Sequence, residues 1–317
     1  MSFLMFTVIG IVSLYFYLKL SIKKCECKTS MKGKVVIATG ANSGIGYHTA
    51  KKLATLGART ILACRNEKRG SSAQESIIAA TGNSNVIFKQ MDLCDLDSIR
   101  RFSKDILETE DRLDVLVNNA GACSFGDKYT KDGLLEGMQV NHYGPFLLTI
   151  LLLPLLKKSQ PSRIVNVSSL IYLFGYVDLD KINNPKGNRI IMYANSKLCN
   201  LIIHQELARR LEEFDVVVNS VHPGIILTNI LNEGNFLFRL FFKVLCWFNS
   251  RTAEDGSQTV IHACIAKECE RVTGKFYVDC KERYVLSKIN NRDIADNLWR
   301  VSEKFVRYKE ENKKIIK

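Results

Sequence analysis

Tyr193 and Lys197 stand four residues apart in a run of helical periodicity, a spacing that brings both side chains to one helix face. A phenol titrating near pH 10 is a poor proton donor or acceptor at neutral pH. An ammonium about 5 Å away, at an effective dielectric near 20, favours the phenolate by roughly 3 kcal/mol, about a hundredfold in ionisation. The pair can therefore move a proton on and off an oxygen. Taken alone, Tyr-x-x-x-Lys is common on helix surfaces, so its weight depends on what else the chain places beside it.

The elements around it do supply company. Val35 to Ala38 reads as a short buried strand, and Thr39 to Gly46 (Thr-Gly-Ala-Asn-Ser-Gly-Ile-Gly) follows as a glycine turn opening a helix that carries Ala50, Leu53, Ala54 and Leu56. A strand, a glycine turn and a helix N-terminus make an anion site, because unpaired N–H groups and the positive end of the helix dipole face the turn. Gly40, Ser43, Gly44, Ile45 and Gly46 are thus expected to hold a pyrophosphate. A second strand, Thr60 to Ala63, ends at Cys64-Arg65. In a dinucleotide fold this strand end meets the adenosine ribose, where an acid suits the 2′-hydroxyl of NAD and a base suits the 2′-phosphate of NADP. Arg65 is a base with a planar fork, with Lys68 and Arg69 close behind it, so NADP is favoured; at least one of Lys68 and Arg69 reads as the exposed face of the next helix.

Asn118-Asn119-Ala120-Gly121 follows the strand Asp114 to Val117, and Ser168-Ser169 ends the strand Arg163 to Val167. Ligands of open α/β sheets lie at such strand ends. Asn118 is expected to brace the sheet, and Asn119, Ala120 and Gly121 to line a cofactor. In the apolar helical segment from about Asp132 to Lys157, Asn141 has Gly144 and Pro145 close behind, which predicts a local kink and a freed carbonyl able to hold water. His142 and His222 read as packed structural residues. The sixth strand, Val216 to Val221, leads to His222-Pro223-Gly224, and a last strand at Lys275 to Val278 is expected to close the sheet.

With these motifs in this order, residues 32 to 280 resemble the short-chain dehydrogenase/reductase family. The resemblance implies a single α/β domain with a doubly wound, mostly parallel sheet of Rossmann type. It also implies catalytic roles for Tyr193, Lys197, Ser169 and Asn141, the last in a proton relay. Asp92 would meet the adenine, Pro223 and Gly224 the nicotinamide, and Thr228 its carboxamide, while the segment of about 225–250 would be a substrate lid. Ala63-Cys64-Arg65-Asn66, Asn141 to Thr149, Arg163 to Ser169, Gln205 to Leu211 and Thr273 to Tyr277 are similar to the microsomal retinol dehydrogenase branch. That implies retinaldehyde or retinol as substrate. Tyr143, Pro145 and Ala122 to Phe125 depart from the branch and bear on substrate specificity.

The remainder of the chain bears on location. Met1 to Leu18 carries no charge, and the run extended to Ile22 reaches about 30 Å as a helix, enough for one membrane span. Lys19, Lys23, Lys24, Lys28, Lys32 and Lys34 follow it, which orients the rest of the chain to the cytosol. A short span fits the endoplasmic reticulum. The expected layout is a membrane anchor at 1–22, a basic linker at 23–31 and a catalytic domain at 32–317. The net charge of +13 suits an anionic cofactor and an anionic lipid surface; no nucleic-acid-binding motif accompanies it. Ten scattered cysteines point to a reducing compartment, and since Cys25-x-Cys27 and the lone Cys264, Cys269 and Cys280 lack paired zinc spacing, no metal is expected. The apolar run Phe236 to Phe248 suits a lipophilic substrate. The long helix after Tyr193 leaves both a homodimer and a monomer open. Two other readings compete: a reductase of another lipophilic carbonyl, such as a steroid ketone or lipid-derived aldehyde, and a non-catalytic nucleotide-binding membrane protein.

Overall fold

The computed structural model describes residues 23–122, 128–183, 189–226 and 250–308. The expected anchor at 1–22, Thr228 and nearly all of the expected lid, including Phe236 to Phe248, lie outside the described residues.

Short apolar runs form the strands, as expected for strands covered on both faces. They are β1 (Val35–Thr39), β2 (Arg59–Cys64), β3 (Val86–Gln90), β4 (Val115–Asn118), β5 (Ser162–Val167) and β6 (Val216–His222). Between them run α1 (Gly44–Thr55), α2 (Glu67–Thr81), α3 (Leu96–Thr109), α4 (Glu136–Lys158) and α5 (Arg189–Arg210). After β6 come the two-residue strands β7 (Ile225–Ile226) and β8 (Ser250–Arg251), which pair with each other, then α6 (Ala253–Ile265), β9 (Phe276–Val278), β10 (Lys281–Arg283) and α7 (Arg292–Phe305). The main sheet has the order β10-β9-β6-β5-β4-β1-β2-β3, and every pair is parallel except β9 with β10. The strand order reverses between β1 and β4, the crevice where a doubly wound sheet binds its ligand.

Alternate residues of each strand point to opposite faces and build two cores. Ile37, Leu116, Ile164 and Val218 face one core, shared with Leu148, Leu152 and Leu201. Val36, Val117, Val165 and Val221 face the other, shared with Leu53 of α1 and Val260 of α6. Among the described residues α4 is the one helix long and apolar enough to cross a membrane, but it is buried in the first core, and that burial accounts for its apolarity.

Three boundaries differ from expectation. The helix predicted from about Asp132 begins at Glu136, because Gly133 takes φ +74° in a turn bridged by Tyr129 and Leu135. The sheet does not end at β9: Asp279 and Cys280, both at positive φ (54° and 57°), turn the chain into the antiparallel edge strand β10, whose Lys281, Glu282 and Arg283 are all exposed. Residues 23–30, expected as a linker, lie along α6, with Cys25 N–H donating to Gln258 Oε1 at 3.1 Å and the Thr29 hydroxyl to the Ile265 carbonyl at 3.0 Å.

Candidate active site

A cleft of about 640 Å³ opens at the carboxyl ends of β1, β2, β4, β5 and β6. Its first wall is the glycine turn. Gly40 and Gly44 take φ +64° and +60°, the left-handed region that glycine enters without strain. A side chain at Gly46 would strike the Gly40 carbonyl oxygen at 2.6 Å and Asn119 Nδ2 at 2.4 Å, so the turn closes tightly only with glycine there. Ser43 precedes α1 without a side-chain cap, and the first helical turn holds no acid. Donors are therefore presented to the cleft with nothing negative against them, which fits a phosphate group.

Thr39 ties this turn to the next wall. Its hydroxyl accepts from the N–H groups of Asn119 (3.0 Å) and Ala120 (2.9 Å), while Asn119 Nδ2 donates to the Thr39 carbonyl at 2.8 Å. Asn118 turns the other way and braces the sheet, donating to Thr149 Oγ1 and Asn166 Oδ1. Arg65 lines the cleft at the end of β2, as expected. Arg69 lines it too, one helical turn beyond, whereas Lys68 does not. Arg69 is exposed and also lines the open cleft, so both readings of its position hold. Asp92 also lines the wall; its Oδ1 accepts from the Cys94 N–H at 2.9 Å, and the cap of α3 is Asp95.

At the other end stand Ser169, Tyr193 and Lys197, with Pro223 and Gly224 opposite. Lys197 is 3% exposed; its ammonium donates to the Val167 carbonyl at 3.0 Å and lies 5.5 Å from the centre of the Tyr193 ring. A side chain at Gly121 would meet both Lys197 Nζ and Asn141 Oδ1 at 3.2 Å, so that glycine keeps the floor open between them. The two serines differ in setting. Ser168 is buried, its hydroxyl directed to the Lys197 carbonyl at 3.4 Å, while the half-buried Ser169 accepts from the Ile171 N–H at 3.3 Å. Gly224 (φ +87°) sits against Arg251, whose guanidinium pairs with Asp279.

Asn141 lies behind the cleft in a π-helical turn, Gln139–Tyr143. Its side chain pairs with the Ala122 backbone in both senses (Oδ1 from N–H at 2.9 Å, Nδ2 to O at 2.8 Å) and also reaches Ser196 Oγ. Pro145 has no N–H to give the carbonyl four residues back, which is that of Asn141. The expected freed carbonyl is present, and Asn200 Nδ2 donates to it at 2.7 Å. His142 is buried between Asn200 Oδ1 and Ser302 Oγ, and burial pushes it down to about 4. His222 is likewise pushed down to about 4 by burial, helped by Arg251, while its Nδ1 accepts from the Leu170 N–H. Both are packing residues, in line with the sequence reading.

A glycine-turn cleft at the switch of a parallel sheet, ending in Ser, Tyr and Lys, defines a dinucleotide-dependent oxidoreductase. A profile of short chain dehydrogenases matches residues 34–235. The chain belongs to that family. Its relatives there include retinol dehydrogenases: retinol dehydrogenase 12 of Mus musculus is 38% identical over 95% of this chain and 97% of its own length, and retinol dehydrogenase 11 of Homo sapiens is 41% identical over 88% and 87%. Among solved structures, a short chain dehydrogenase of Burkholderia cenocepacia in complex with NADP aligns with TM-score 0.63 and 26% identity, covering 78% of this chain and 96% of its own.

Proposed function

We propose that the protein interconverts a lipophilic alcohol and its carbonyl with NADP(H), retinol and retinaldehyde being the substrate pair. The carrying observation is the joint placement of Arg65 and Arg69 at one end of a cleft and Ser169, Tyr193 and Lys197 at the other. Two guanidiniums at the end of β2, with no carboxylate at that strand end, suit a 2′-phosphate. The solved relative that carries NADP agrees with this choice.

The bound dinucleotide supplies or accepts the hydride at the substrate carbon. In reduction, the Tyr193 hydroxyl gives its proton to the carbonyl oxygen as negative charge forms there, and the Ser169 hydroxyl donates to the same oxygen. Lys197 stabilises the phenolate left behind, and Asn141 holds the Ala122 segment and the start of the relay that returns the proton. Leu170, Leu173, Phe174 and Tyr176, directly after Ser169, are exposed, with Phe174 at 71%. An exposed apolar surface of this kind, next in sequence to Ser169, suits a lipophilic substrate. The retinol dehydrogenase relatives narrow that class to a retinoid. Residues 1–22 would anchor the domain to the endoplasmic reticulum membrane with its catalytic part in the cytosol.

The test is NADPH oxidation by the membrane-bound protein with all-trans-retinaldehyde, beside NADH and beside a steroid ketone and a medium-chain aldehyde. Turnover of retinaldehyde with NADPH preferred supports the reading. Turnover of another carbonyl only would keep the chemistry and discard the retinoid, and cofactor binding with no turnover of any would sink the catalytic assignment.

A further inference from the structure

Cys25, Cys27 and His262 meet outside the cleft, none of them being among its lining residues. One ligand atom from each, two sulfurs and one ring nitrogen, lies within 4.8 Å of the other two. Cys25-x-Cys27 alone has no zinc spacing, and the third donor enters from α6, far along the chain, where no local pattern could announce it. All three side chains are buried or half-buried, and both thiols are free. We propose that Cys25, Cys27 and His262 bind one zinc ion that clips the N-terminal arm to α6.

The donor set is that of zinc: two soft thiolates and an imidazole, with a fourth tetrahedral position for water. Tetrahedral bonds near 2.3 Å place sulfur ligands about 3.7 Å from one another, a separation within the 4.8 Å bound found here. Glu268 Oε1 lies 3.8 Å from His262 Nδ1, where an outer carboxylate can orient a liganding ring. On binding, each thiol gives its proton to solvent as its sulfur bonds the cation, so affinity rises with pH.

Residues 23–30 have no regular secondary structure, and the side-chain hydrogen bonds across to α6 are those of Cys25 with Gln258 and Thr29 with Ile265. The arm follows directly on residues 1–22. The start of α6 follows Arg251, which packs on Gly224. A metal here would fix the arm to α6.

Full-length protein is purified without chelators, its zinc is measured by elemental analysis, and Co²⁺ is then exchanged in as a spectroscopic probe. The expected result is one zinc per chain, thiolate-to-Co²⁺ charge-transfer absorption, and visible bands of a tetrahedral site. Cys27→Ser and His262→Gln should each weaken Co²⁺ binding by at least about 100-fold, and Cys94→Ser should not. Stripping zinc from the unmutated protein should speed tryptic cleavage at Lys23, Lys24 and Lys28, a readout that needs no variant to fold. Protein that neither retains zinc nor binds Co²⁺, metal retained undiminished in both variants, or a Cys25–Cys27 disulfide in the intact mass would each overturn the proposal.

Discussion

Asn200 Nδ2 donates to the Asn141 carbonyl at 2.7 Å, at the oxygen that Pro145 leaves without its helical partner. The same Asn200 side chain meets His142 through Oδ1 at 3.0 Å, so one residue of α5 secures two consecutive residues of the π-turn. Asn200→Leu strands a buried carbonyl and a buried ring nitrogen and should cost about 2–4 kcal/mol of stability. Because Asn141 holds Ala122 beside the reacting end of the cleft, kcat should fall while cofactor affinity moves little. A denaturant midpoint and a steady-state comparison check this; an unchanged midpoint would mean the bond is not held in solution.

Tyr193→Phe removes the hydroxyl and leaves the ring. The expected loss is about 10²–10⁴-fold in kcat with cofactor affinity kept within a few-fold. Ser169→Ala should act in the same direction through the substrate oxygen. Ser168→Ala should chiefly affect stability, since that hydroxyl is directed to the Lys197 carbonyl. Single-turnover rates for the three variants distinguish these roles.

The sheet order and the cleft were legible because glycine turns and strand-end amides leave fixed local spacings, and Thr39 to Gly46 and Asn118 to Gly121 fall where β1 and β4 end. What escaped depends on tertiary approach. Asp279 and Cys280 make the β9–β10 turn at positive φ without a glycine to signal it. The π-turn at Asn141 was legible as a kink, because Pro145 deletes a donor, but the partner that fills the gap lies on another helix.

Arg65→Asp should weaken NADPH by about 10–100-fold, the loss of a charge-assisted hydrogen bond, and should spare or improve NADH. Arg69→Ala should weaken NADPH in the same direction if both guanidiniums reach the 2′-phosphate. Equilibrium titration of both cofactors against each variant gives the answer; equal losses for NADPH and NADH would remove the argument from Arg65.

His142 and His222 are buried, and both are pushed down to about 4, chiefly by burial. An unfolded histidine titrates near 6.5. Between those values the unfolded chain binds a proton that the folded chain refuses, so stability is full above pH 6.5 and falls as pH drops towards 4. By pH 5 each ring should account for about 2 kcal/mol of loss. The carboxylates of Asp95 and Asp114, which ion pairs and hydrogen bonds hold below their usual range despite burial, act only in more acid solution, so they do not blur this window. His222 carries a second consequence, because its Nδ1 accepts from the Leu170 N–H next to Ser169 and protonation would break that bond. Activity should therefore fall in acid before the domain unfolds. Urea midpoints from pH 7.5 to 5 should decline, and because burial also holds His204 and His262 below their usual value, His142→Gln should flatten that decline by about a quarter to a third; a slope unchanged by the substitution would show that His142 titrates normally in the folded protein.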